Sequence, residues 1–132
     1  MALKKLLVDE SIVWTNLVMS ALSVNRWTLT KTINIFSRLE EEGLFDVRNV
    51  RGWTRTEIST RLALSGYRRG DYLNQLIADR LKLLSVHLSD QTLKELGERA
   101  TSPDCASIEN VLLPIPGVGK QTVDTFLRLS VY

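Results

Sequence analysis

Apolar residues along this chain recur mainly at steps of three and four, and no stretch alternates apolar and polar residues as a half-buried strand would. Ser11 can cap a helix over 11–22 that carries Val13, Leu17, Val18 and Leu22. After a break at Ser23–Trp27, Thr28 caps a second predicted helix, about Leu29 to Glu42, with Leu29, Ile33, Phe36 and Leu39 inward and Gly43 as its stop. Residues 44–53 read as a loop. Thr54 and Glu57 have capping-box spacing, so a helix starts there and ends near Ser65-Gly66. Asp71 caps a long helix with Leu73, Leu76, Ile77, Leu81, Leu84 and Leu88 on one face. A helix from Ser89 or Asp90 buries Leu93, Leu96 and Ala100, and Thr101–Asp104 is a turn. A short helix over about 106–113 and a last one over about 120–130 complete an all-α domain of six to eight helices.

Composition sharpens this only a little. At 132 residues, 44% hydrophobic and 24% charged, the chain is the size and type of one globular domain with a real core, spanning 1–132. Its single cysteine, Cys105, excludes an intramolecular disulfide and any metal or iron–sulfur site built from cysteines, and its single histidine, His87, removes most histidine-based metal sites. A net charge of +2 permits an anionic partner without requiring one. Asp9 and Glu10 interrupt the N-terminal apolar run, and no stretch is long enough to span a bilayer. The expectation is a cytoplasmic protein without a membrane partner, nucleoid-associated or, in a eukaryote, nuclear.

The candidate chemistry lies in Leu113-Pro114-Ile115-Pro116-Gly117-Val118-Gly119-Lys120-Gln121-Thr122-Val123, a glycine hairpin between two short helices. Gly117 and Gly119 can take positive φ and leave no side chain in the way of a ligand. The helix that follows begins with unpaired N–H groups and a partial positive charge, which suits a phosphate oxygen against Gly119, Lys120 and Gln121. Lys120 adds attraction, Thr122 a hydroxyl donor, and Ile115 and Val118 anchor the hairpin to the core. The alternative is a plain tight turn.

This string resembles the hairpin of the helix-hairpin-helix (HhH-GPD) DNA glycosylases, the endonuclease III superfamily. The resemblance implies a fold like their six-helix barrel lobe, with the helix-hairpin-helix at about 106–130, and binding to duplex DNA, damaged or kinked, in repair. Leu22-Ser23-Val24-Asn25 is similar to the family's Leu-Ser-Ala-Gln segment, which puts Asn25 in the place of the amide that fills a distorted duplex. Asn25 serves equally well as a helix cap. Ser65-Gly66-Tyr67-Arg68 resembles the family loop whose apolar residue wedges into the base stack, which puts Tyr67 at the wedge; Tyr67 is otherwise a half-buried core aromatic. In the family these loops converge with the hairpin on one DNA-facing mouth. The resemblance also admits a monovalent cation at the hairpin backbone; no other cofactor is expected.

Charge patterning adds Arg48, Arg51, Arg55, Arg61, Arg68 and Arg69 between residues 48 and 70, against Glu57 alone. Arginine suits phosphate because its fork donates two hydrogen bonds. Arg68 and Arg69, beside the wedge loop, are the DNA-contact candidates; Arg48, Arg51 and Arg55 fit a solvated surface with acidic partners such as Glu40–Glu42 or Glu98.

Catalysis is where the chain departs from the family. Its imine-forming lysine lies two residues after the second hairpin glycine, where this chain has Gln121. Lys120 precedes that position by one residue, about 100° around the helix. The catalytic aspartate lies beyond the hairpin helix, past Tyr132, and the second half-domain of the cleft has no counterpart. Gln121 and Asp124 are the nearest substitutes, and Asp124 matches a polar structural position. Three readings follow: a DNA-binding lobe without catalysis; a divergent glycosylase completed by a homodimer or a protein partner; and a protein-interaction module on the same scaffold.

Overall fold

The structure, a computed structural model, describes residues 10–24, 26–100 and 105–130, and within them every regular element is a helix. Helix α1 (Glu10–Leu22) organises the rest, because it is apolar nearly all round: Val13, Trp14, Leu17, Val18, Ala21 and Leu22 are all buried. Such a helix has to be enclosed by others. The elements that follow are α2 (Leu29–Asn34), α3 (Phe36–Glu41), α4 (Val47–Gly52), α5 (Arg55–Leu64), α6 (Asp71–His87), α7 (Asp90–Ala100), α8 (Cys105–Leu112) and α9 (Lys120–Ser130). Helices α2, α6, α7 and α9 pack directly on α1, while α4 and α5 lie along α6. Trp14, at the centre, donates its indole N–H to the Leu44 carbonyl at 3.0 Å, so that its ring is buried with its one polar atom satisfied.

Most boundaries follow local chemistry. Thr54 caps α5 by accepting from the Glu57 N–H, and Ser89 accepts from Thr92 N at 3.1 Å ahead of α7. Gly43, at φ +82, ends α3 as a left-handed residue. The long helix begins at Asp71 as expected, but its cap is Gly70 at φ +88, with no side-chain capping bond. The turn expected at Thr101–Asp104 lies outside the described residues.

Two expectations are corrected. The helix over 29–42 is broken at Ile35 (φ −106, ψ 11), and its predicted inner stripe is rotated: Ile33 is 53% and Phe36 36% exposed, while Thr32 and Leu39 are buried. The cause is a buried polar cluster. The hydroxyls of Thr32 and Ser23 are bonded at 2.8 Å, and Trp27 Nε1 donates to Thr32 at 3.1 Å, which draws Thr32 inward at the expense of Ile33. Residues 47–52, expected as loop, form α4, because Asp46 accepts from Arg48 N at 3.0 Å and Val47 and Val50 find a core to enter.

Several arginines of the basic stretch belong to the scaffold. Arg51 donates to the Ser85 carbonyl at 2.8 Å, the Leu88 carbonyl at 2.6 Å and Asp90 at 2.8 Å, closing the C-terminal end of α6. The Lys82 ammonium donates in turn to the Arg51 carbonyl. Arg61 pairs with Glu57 and Glu42 and lies over the Trp53 ring, and exposed Arg48 pairs with Asp46. Replacing Arg51 by Met is expected to lower stability by about 1–3 kcal/mol, because two carbonyls at the helix end lose their donor. Urea unfolding checks this: the midpoint should fall with the slope unchanged.

Candidate nucleic-acid interface

The hairpin is built from the core outward. Ile115, Thr122, Val123 and Phe126 are buried, and Val118 packs against the core from its edge. Val118 N donates to Ile115 O at 3.1 Å, and Val123 N to Gly119 O at 3.2 Å, which sets the turn and the start of α9. Between these anchors Pro116, Gly117, Gly119, Lys120 and Gln121 are exposed. The backbone N–H groups of Gly119, Lys120, Gln121 and Thr122 meet no acceptor among the described residues. The start of α9 thus has N–H groups without an acceptor among the described residues, at positions that are exposed except for buried Thr122.

The two glycines do different work. Gly117 sits at φ +86, and a Cβ there would meet Arg80 Cγ at 2.7 Å, so both its conformation and its neighbour exclude a side chain. Gly119 is not in the positive-φ region expected for it, and a Cβ there would meet nothing within 4 Å.

The segment after α1 borders this hairpin, and the 66–70 loop is tied to that segment. The Tyr67 hydroxyl donates to the Leu22 carbonyl at 2.9 Å, and Arg69 Nη1 donates to the Val24 carbonyl at 2.8 Å, which ties the 66–70 loop to the segment after α1. That segment borders the hairpin across two hollows that share Gln121. One, about 370 Å³, is lined by Val24, Arg80 and the residues from Gly117 to Thr122 other than Lys120. The other, about 240 Å³, lies between Arg26, Trp27 and Thr28 on one side and Gln121, Thr125 and Arg128 on the other. No carboxylate among the described residues lines either hollow. Arg26 is held at φ +75, a left-handed conformation that costs a residue with a side chain about 1–2 kcal/mol.

Tyr67 itself is not available as a wedge. It is fully buried, its ring meets Trp27 edge-on with centroids 4.7 Å apart, and Asn74 holds its carbonyl at 2.7 Å. Burial exceeds even the half-buried alternative, because the hydroxyl is used within the fold. Arg69 is half-buried and bonded to Val24 and to the Tyr67 oxygen at 3.2 Å, so part of its fork serves the loop junction. Arg68 is exposed, donates to Ala63 O at 3.2 Å and lines a separate hollow with Ser59, Leu64 and Asp71 that shares no residue with the other two. Asn25 lies outside the described residues. Asp124 is exposed on α9 and lines neither hollow at the hairpin, whereas Gln121 lines both. Sequence reasoning missed Arg80, Arg26 and Arg128, which belong to no local motif and reach the hairpin only through the packing of α6, the loop after α1 and the far end of α9.

Comparison of the chain with protein-family models, characterised proteins and solved structures finds no match. Among the described residues no group of histidine, cysteine and carboxylate side chains could hold a metal ion, and no helix is long and apolar enough to cross a membrane.

Burial raises the Tyr67 phenol above its ordinary value of 10.0, opposed by the hydrogen bond from Arg69 and the charges of Arg69 and Arg80. The fold thus favours the protonated form. Its stabilising contribution is complete below pH 10 and is lost as pH rises through the elevated value. Tyr67→Phe is expected to cost about 1–3 kcal/mol at neutral pH and to flatten the alkaline fall in stability; denaturation midpoints across pH 7–11 or so read both effects.

Proposed function

We propose that this chain binds the phosphate backbone of double-stranded DNA through the hairpin and the first turn of α9, as a gripping lobe rather than as a complete base-releasing enzyme. The observation that carries the reading is the row of N–H groups from Gly119 to Thr122 that meet no acceptor among the described residues, with Lys120 beside it and hollows lined by arginine and, among the described residues, by no carboxylate. Backbone amides at a helix start, reinforced by cations, suit a phosphate and read no base sequence. Gly119 adds weight. Nothing in the described fold requires glycine there, but a side chain would stand over the amides that a strand has to approach. The strain at Arg26 agrees with a cation held where a ligand rather than the fold wants it. The resemblance of Leu113–Val123 to the glycosylase hairpin points to the same ligand, and its damage-sensing wedge is not carried over, since Tyr67 is buried.

Fluorescence anisotropy of a short labelled duplex across a salt series tests this. Affinity should fall steeply with salt, and Lys120→Ala should reduce the slope of log affinity against log salt by about 1. Gly119→Leu should fold normally, since its side chain meets open space, and bind roughly tenfold more weakly or worse, about 1.4 kcal/mol. Salt-independent binding, or full affinity in Gly119→Leu, would refute the proposal.

A further inference from the structure

We infer that Arg80 and Thr122 form the floor of a site for one phosphate group, in the hollow whose rim is the hairpin. Three kinds of donor converge there without partners. The first is the row of amides at the start of α9. The second is the Thr122 hydroxyl. Thr122 is only 6% exposed and lines the hollow, yet its hydroxyl has no hydrogen-bond partner among the described residues. Among the described residues no sealed side-chain oxygen or nitrogen is left unpartnered, so this hydroxyl opens onto the space that Thr122 lines. The hydroxyl is therefore open to a ligand oxygen from the hollow.

The third donor is the Arg80 guanidinium, from the middle of α6. Its stem runs beneath Gly117, close enough that a Cβ there would strike Cγ, and the Nε lies 3.4 Å from that same point. Its charge reaches Tyr67, yet it forms no ion pair or hydrogen bond among the described residues, and no carboxylate lines the hollow. A half-buried guanidinium with no counter-ion, a free hydroxyl and a helix start aimed at one space make a donor set with no matching acceptor. A tetrahedral anion accepts from several directions at once, as a planar carboxylate does not, and about 370 Å³ leaves room for the atoms esterified to it. Gly117 then has a second purpose: it lets the Arg80 stem pass under the turn.

The inference rests on the DNA reading only for the source of the phosphate, and the test separates the two. Amide and arginine Nε resonances of the full chain are followed by NMR during titration with inorganic phosphate, against chloride at equal ionic strength, beside the duplex assay. Phosphate should move the Gly119–Thr122 amides and the Arg80 Nε signal together. Arg80→Met, which keeps the apolar stem, and Thr122→Val, which keeps the shape, should each weaken that binding about tenfold, as loss of a charge-assisted hydrogen bond does. Arg80→Met should also lower the duplex salt slope by about 1. If Arg80→Met does not fold, Thr122→Val alone decides. Phosphate or duplex binding unchanged in the folded variants overturns the inference while leaving the hairpin grip intact. Phosphate binding that needs Arg80, in a chain without duplex affinity, upholds the site and shifts its ligand to free phosphate or a small phosphate ester. No phosphate response in the wild-type chain overturns the inference outright.

Discussion

The C-terminal end of α1 is buried, and its carbonyls have to find donors other than water. That constraint shapes the face that carries the hairpin. Tyr67 supplies a hydroxyl to Leu22, and Arg69 supplies a guanidinium to Val24. In meeting these carbonyls the 66–70 loop is drawn against the end of the central helix, and the segment after α1 is held beside the hairpin. Ser23, Thr32 and Trp27 pair with one another just beyond, which turns α2 by pulling a threonine rather than an isoleucine into the interior. A buried helix end thus determines which loops are neighbours, and their neighbourhood determines what a ligand can meet.

Polar groups divide into two populations on this molecule. Those of the scaffold are satisfied: Trp14 on Leu44, Arg51 across the end of α6, Arg61 on Glu57 and Glu42. Those at the hairpin are donors without an acceptor among the described residues. Helix starts ordinarily leave N–H groups to water; here an arginine and an unpartnered threonine hydroxyl face the same hollow, which is a physical reason to look for an anion there. The contrast between the glycines runs along the same line. Gly117 is required by the protein's own packing against Arg80, whereas a Cβ at Gly119 would meet nothing within 4 Å.

Part of this was legible in the residues alone. Thr54 with Glu57, Gly43, and the amphipathic run from Asp71 carry their structural meaning locally, and the hairpin announced its turn and its open amide edge by composition and order. The roles of Tyr67, Arg51 and Arg80 could not be read that way. An aromatic residue after a glycine looks the same whether it faces solvent or a helix end. An arginine in a basic run does not reveal whether a carbonyl forty positions away will claim it. The rotation of α2 was hidden for the same reason, since periodicity registers where apolar residues fall and not where a buried hydroxyl is needed.

By itself, then, the order of residues determined an all-helical chain, most helix starts and stops, and a glycine hairpin that opens the amides of the last helix, because capping, periodicity and backbone freedom act over a few neighbouring residues. Only the tertiary structure decided which arginines are spent inside the protein, that Tyr67 belongs to the core, and that Arg80 and Thr122 share a hollow with the hairpin. Those outcomes depend on groups far apart in sequence competing for the same buried donors and acceptors, and that competition is settled only when the helices pack.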